Sequence, residues 1–176
     1  MRWSSKLSMT TPPFLRADRI AMAVGAGGAC LVLGALGIQY LGGIAPCEMC
    51  HWQRWAHTAA AIVGILGGAL VKRESTARTL AWTAIACVLV SGLIGAYQTG
   101  TEYHILPGPA ACTGHRYILG SNMPPPEVQC DVVTWSLFGL SMATYNALCS
   151  FLIAALGALG LSKGAAASRE WQKNAA

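Results

Sequence analysis

Four cysteines stand outside the apolar stretches of this 176-residue chain, and they fall into two pairs. Pro46-Cys47-Glu48-Met49-Cys50 opens an apolar segment, with Arg54 four residues after Cys50. Cys112 and Cys130 lie in the only long polar stretch. A Cys-x-x-Cys at a helix start suits thiol–disulfide exchange, because the positive end of the helix dipole and a nearby cation favour thiolate over thiol. As the i+4 neighbour of Cys50, Arg54 shares its helix face. Its guanidinium stays charged and would stabilise a Cys50 thiolate, or any anion reduced beside it. The plainer reading of Arg54 is an interfacial anchor.

Other readings of the cysteines are weaker. A static disulfide or half of a zinc site would also use Cys47 and Cys50, but structural zinc wants four ligands, often as two short-spaced pairs. Seventeen residues separate Cys112 from Cys130, and His51 points away from its neighbour Cys50 on a helix. No metal is expected. Cys112 and Cys130 most simply close a loop and stiffen it. A disulfide in a flexible, proline-broken loop can also be attacked, and such a labile bond has a higher potential than a buried one. Cys30, Cys87 and Cys149 lie inside apolar runs and read as small, unreactive packing residues. One of His57, His104 and His115 is a candidate proton carrier, although a packed or solvent-facing imidazole is the commoner outcome for such residues. Asn146, within an apolar run, reads as interhelical glue.

The elements that must position these cysteines are membrane helices. The chain is 54% hydrophobic and 11% charged, with a mean hydropathy of +0.47; soluble domains carry about 25% charged residues. Charge-free runs cover 20–41, 55–71, 79–101 and 132–162. A span needs about 20 residues, so the second run, at 17, must recruit 51–54 with Arg54 snorkelling. The expected spans are 20–41, 51–71, 79–101 and 135–161. They are joined outside by the long loop 102–134 and flanked by tails 1–18 and 162–176. The fold class is therefore an all-α membrane protein, a four-transmembrane-helix bundle with one long loop outside the membrane, in a single domain.

Ten of the 12 Lys and Arg residues fall in the two tails and the 72–78 turn, leaving Arg54 and Arg116 on the other side. The positive-inside rule then places both termini in the cytoplasm and both cysteine pairs outside. The net charge of +5 is topogenic and gives no reason to propose nucleic-acid binding. A cleaved leader is not expected, because the first apolar stretch has 22 residues, longer than the roughly 7–15 of a secretory core. Gly28-Ala29-Cys30 resembles a lipoprotein cleavage site only faintly.

Small residues recur at i, i+4 as Ala60, Gly64 and Gly68, and as Ala84, Gly92 and Ala96, which predicts close helix packing. Trp52, Trp55, Trp82 and Trp135 suit an aromatic belt. The loop's Pro107, Pro109 and 124–126 run exclude one continuous helix there, and Tyr117-Ile118-Leu119 is short enough to dip into the interface.

These residues resemble the DsbB family of bacterial inner-membrane thiol oxidases, part of the DsbA–DsbB–quinone system already known to keep the bacterial periplasm oxidising. The resemblance runs from about Ala17 to Leu161. It is carried by Pro46-Cys47-Glu48-Met49-Cys50 with Gln53-Arg54, by Leu106-Pro107-Gly108-Pro109-Ala110-Ala111-Cys112-Thr113, by Cys130-Asp131, and by Trp135 with Phe138-Gly139-Leu140-Ser141-Met142. It implies that Cys112 forms the mixed disulfide with a DsbA-like periplasmic thioredoxin-fold partner and that Cys130 is its disulfide mate. It also implies that Cys47 and Cys50 pass electrons inward, and that Arg54 stabilises negative charge on a bound quinone, ubiquinone or menaquinone. Some family members carry a His shortly after the third span. Here Tyr97-Gln98-Thr99 stands there, so no proton-handling role transfers to that helix.

Energetics agree. Recharging a partner at about −120 mV from a glutathione pool at roughly −180 to −210 mV is uphill by about 3–4 kcal/mol for two electrons. A more oxidising, lipid-soluble acceptor answers that need. The expected activity is protein dithiol:quinone oxidoreduction. Two rivals are a non-catalytic cross-linked scaffold and the vitamin K epoxide reductase-like group, whose quinone-facing Cys-x-x-Cys comes late in the bundle rather than opening the second span.

Overall fold

The computed structural model describes residues 15–71, 73–110 and 128–175. Cys112, His115, Arg116, Lys72, the 117–119 triplet, the 124–126 proline run and residues 1–14 lie outside the described residues.

Four helices carry the chain: α1 (Ala17–Gly42), α2 (Glu48–Leu70), α3 (Glu74–Glu102) and α4 (Met142–Ala175), with a hairpin of β1 (Ser136–Leu137) and β2 (Leu140–Ser141) before the last. Consecutive helices pack along one another, and α1 also meets α3 and α4. Three of the four, α1, α3 and α4, are long and apolar enough to cross a membrane. Polar residues in its first two turns hold α2 below that measure.

The interior is built from small side chains and the exterior from large ones. Ala17, Ala21, Ala60, Ala77, Ala81 and Ala84 are buried with Ile20, Val24, Ile85 and Val88. Leu33, Leu66, Leu93, Leu152 and Leu156 face outward. A water-soluble domain does the reverse; in lipid, helices gain little by burying leucine and associate through close backbone packing. The α1–α2 crossing is the tightest: a Cβ on Gly64 would stand 2.5 Å from the Ala21 carbonyl oxygen and 2.8 Å from the Gly25 Cα. Gly68 meets the Asp18 carbonyl in the same way.

The Ala60, Gly64, Gly68 stripe packs as expected, but Ala96 on α3 is exposed and Gly95 takes its place, against the Ala143 carbonyl. At 3.6 residues per turn, a strict i+4 series drifts off its face after three steps, so the inward position falls one residue earlier.

Two boundaries differ from the expected ones. Helix α3 begins at Glu74, inside the expected 72–78 turn, with that acidic side chain at the positive end of its own dipole and accepting the Ala17 N–H of α1 at 3.3 Å. Residues 135–141, expected to start the fourth span, instead form the hairpin. Its two-residue loop has φ +49° at Phe138 and +79° at Gly139, the backbone of a type I′ turn. Helix α4 starts only after it, where the Ser141 hydroxyl accepts the Thr144 N–H at 3.2 Å. That is an N-cap bond. The helix then runs through the expected 162–176 tail to Ala175.

Gly64→Ala should lower thermal stability in detergent by about 1–3 kcal/mol, the cost of overpacking. Gly37→Ala, where a Cβ meets nothing within 4 Å, should leave the midpoint unchanged or raise it.

Candidate active site

Cys47 is the N-cap of α2, with extended backbone (φ −82°, ψ 171°), and its sulfur accepts the Cys50 N–H at 3.3 Å. Serine or aspartate usually fills that role; a sulfur here, with Pro46 before it, puts both thiols on the first helical turn. The two sulfurs are 2.7 Å apart and both cysteines are free.

Gln98, on α3, reaches both of them. Its Nε2 lies 3.5 Å from the Cys47 sulfur and 3.8 Å from the Cys50 sulfur, and donates to Glu102 Oε1 at 3.1 Å. Its Oε1 accepts from Gln53 Nε2 at 2.7 Å, which fixes the amide's orientation. Sequence reasoning gave this glutamine no role. One signal was available, an uncharged polar residue one turn before the end of an apolar helix.

Both cysteines lie just outside the expected span 51–71, and their thiols are driven apart. Cys50 is brought down to about 6, chiefly by the hydrogen bond from the Cys47 thiol and against an opposing burial penalty; Gln98 and the Arg54 charge add smaller pulls. Cys47 is pushed strongly upward, first by the same bond and then by burial. Their shared hydrogen bond thus favours the proton on Cys47 and the charge on Cys50. Arg54 contributes to that charge, but less than its register suggested, because its guanidinium turns toward α1, where it bonds Gln39 Oε1 and the Ala35 carbonyl. Its Nε is buried without a partner.

A cavity of about 230 Å³ opens beside Cys50 and Arg54. Four α2 residues at helical spacing line it, Cys50, Gln53, Arg54 and His57, against apolar α1 residues such as Leu31 and Ile38. Trp135 and Tyr145 form the opposite wall, their rings tilted at 58° with centroids 6.3 Å apart. The Tyr145 hydroxyl donates to the Leu137 carbonyl at 2.9 Å and ties the hairpin over this side. Drug-sized ligands need roughly 300–1,000 Å³, so the space is smaller than a typical drug-sized site. Cys30, expected to be inert packing, also lines it.

Below Cys50 a hydrogen-bonded ladder continues. Ser91 donates to the Gln53 carbonyl, Asn146 donates to Ser91, and Asn146 Oδ1 lies 2.8 Å from His57 Nε2. Asn146 is interhelical glue, as expected. His57 is packed, 2% exposed, and its Nδ1 has no partner. His104 is exposed.

Of the second pair, Cys130 lies among the described residues. Cys130 is fully buried, disulfide-bonded, and packs against Cys47 and Met49. The Thr101 hydroxyl holds its carbonyl at 3.3 Å. Among the described residues there is no cluster of His, Cys, Asp and Glu that could hold a metal ion.

The sequence profile described as "Disulfide bond formation protein DsbB" matches residues 17–160. The chain belongs to the DsbB family. A Disulfide bond formation protein B of Azoarcus sp. (strain BH72) is 30% identical over 151 residues, covering 81% of this chain and 90% of that one. Proteins of the same description from Verminephrobacter eiseniae (strain EF01-2) and Aromatoleum aromaticum are 27% and 24% identical, over 81% and 72% of this chain and 85% and 81% of theirs. No solved structure matches. Membership makes the chain an oxidoreductase of disulfide bond formation, and its apolar helices fit a membrane protein.

Alkylation of Cys50, read by peptide mass spectrometry on the reduced protein, should have its midpoint near pH 6. Gln98→Leu removes a donor to the thiolate, so the midpoint should climb toward the ~8.5 of a free cysteine. An unmoved midpoint would show that the amide does not hold the charge.

Proposed function

We propose that the protein is a dithiol:quinone oxidoreductase of the bacterial inner membrane. It takes two electrons from a reduced DsbA-like thioredoxin-fold protein in the periplasm and delivers them to ubiquinone or menaquinone, sustaining disulfide bond formation. The observation that carries this reading is the position of Cys50. Its low-pKa sulfur lines an apolar, ring-sized cavity with Arg54, while its partner Cys47 packs on disulfide-bonded Cys130.

The electron path follows from those contacts. Cys112 exchanges with the partner's dithiol and leaves Cys130 as a thiol. Once the partner has closed its own disulfide and freed Cys112 as a thiol, Cys130, already against Cys47, attacks the Cys47–Cys50 disulfide and bonds Cys47. Cys112 then attacks that mixed disulfide, which re-forms the Cys112–Cys130 bond and leaves Cys47 and Cys50 reduced. Cys50, ionised first, faces the acceptor, and Cys47 then closes the disulfide. A quinone in the cavity supplies a two-electron, two-proton sink. Arg54, whose Nε has no partner in the protein, offers a fixed positive charge where the acceptor gains negative charge. Trp135 and Tyr145 exclude water from that side.

The four-span topology with both termini in the cytoplasm belongs to this reading. Although α2 has a polar start, it presents Ile62, Leu66 and Leu70 outward, and its 23 residues extend about 34 Å, enough to cross the apolar layer.

Cys50→Ser should abolish reduction of a short-tailed quinone by a reduced thioredoxin-like protein under anaerobic conditions; full activity in that variant refutes the relay. Arg54→Met should raise the KM for quinone by about tenfold or more, the loss of one charge-assisted hydrogen bond, and leave attack on the outer disulfide intact.

A further inference from the structure

When Cys47 closes a disulfide with Cys50, its thiol proton must leave, and that thiol is the harder of the two to ionise. A base is needed within reach of a sulfur that is 3% exposed. The 230 Å³ cavity does not provide one beside Cys47, which does not line it: Arg54 remains protonated, and His57 lies two helical turns below Cys50, its Nε2 held by Asn146 and Ser150.

A second, smaller cavity of about 30 Å³ adjoins the first and, unlike it, is lined by Cys47, Gln98 and Glu102 together with Cys50 and Arg54. Glu102 is the last residue of α3, at the negative end of its dipole, where a carboxylate is disfavoured. One oxygen, Oε1, accepts from Gln98. The other, Oε2, is buried and has no hydrogen-bond partner. A cavity of this size and polarity admits one bridging water, which needs roughly 10–15 Å³.

We propose that Glu102 is the acceptor of the Cys47 thiol proton during oxidation of the Cys47–Cys50 dithiol, and its donor when that disulfide is reopened. The Cys47 S–H bond breaks and the proton passes to Glu102, directly or through one water. The Cys47 sulfur then bonds the Cys50 sulfur, and two electrons leave from Cys50 to the quinone. Two protons balance them, one held on Glu102 and one released earlier when Cys50 ionised. Burial already raises the Glu102 carboxyl, with the Ser141 and Gln98 hydrogen bonds pulling part of the way back, which brings it closer to a thiol than an exposed glutamate.

Among the described residues, the charged and titratable groups around it are Cys47 at the N-cap of α2, Cys50 and Arg54 on α2, and Asp131 in the segment after Cys130, whose Oδ1 is also buried without a partner; the Ser141 hydroxyl on β2 is a polar neighbour. Asp131 does not line the small cavity.

The proposal rests on the thiol-to-quinone reading and is tested separately from it. Full-length protein in detergent is mixed with dithiothreitol and a short-tailed ubiquinone, and turnover is followed by quinone absorbance from pH 5.5 to 9. Glu102→Gln should lower kcat at least tenfold at pH 6.5 with the quinone KM unchanged. The deficit should shrink as pH rises and hydroxide replaces the base. Glu102→Asp should be intermediate. A wild-type profile in Glu102→Gln, or an equal loss at every pH, overturns the assignment. Should that variant not fold, the infrared difference spectrum of wild-type protein decides: oxidation of the dithiol must change a protonated-carboxyl band, and its absence also overturns the assignment. Activity in Cys50→Ser would instead sink the relay itself.

Discussion

Keeping one sulfur charged at the edge of an apolar bundle is the constraint around which this structure is arranged. An isolated buried thiolate is costly, and burial alone would raise both thiols. Three contacts hold the pair instead: the Cys47 thiol donates to the Cys50 sulfur, the Cys50 backbone N–H fixes the Cys47 sulfur in place, and the Gln98 amide reaches both. Each depends on a different part of the fold. The first needs the Cys-x-x-Cys spacing, the second needs an N-cap, and the third needs α3 to pass beside α2 at the level of Gln98.

That passage depends in turn on the small residues of the core. With Gly64 and Gly68 against the α1 backbone, and Gly92 and Gly95 against Ser150 and Ala143, the helices approach closely enough for short polar side chains to bridge them. The ladder from Gln98 through Gln53, Ser91 and Asn146 to His57 follows. In a low-dielectric interior such a network rigidifies only when its members are satisfied. The side-chain atoms it leaves unpaired are therefore informative: Arg54 Nε and Glu102 Oε2 flank the dithiol, and His57 Nδ1 ends the ladder beside the larger cavity.

The two sulfurs also have different surroundings. Cys50 lines the larger cavity, while Cys47 is buried with Met49 and Cys130. Their shared hydrogen bond favours charge on Cys50 and the proton on Cys47.

Local pattern was enough to read the helical class, the α2 start at the Cys-x-x-Cys, the Cys50–Arg54 register and the glycine stripe of α2, because each is a matter of charge-free runs or helical periodicity within one segment. The hairpin at 136–141 was hidden, because Phe138-Gly139 inside an apolar run carries little turn signal, although Ser141 marks the true helix start. Gln98 and Glu102 were hidden for a deeper reason. Their roles arise from contact with residues about 50 positions away, and periodicity along one helix says nothing about which neighbour it meets. The sequence by itself determined which residues have the chemistry and which helix carries them. Only the tertiary packing decided which donors reach the sulfur, because hydrogen bonds act over about 3 Å and only the close crossing of glycine-lined helices brings those groups that near.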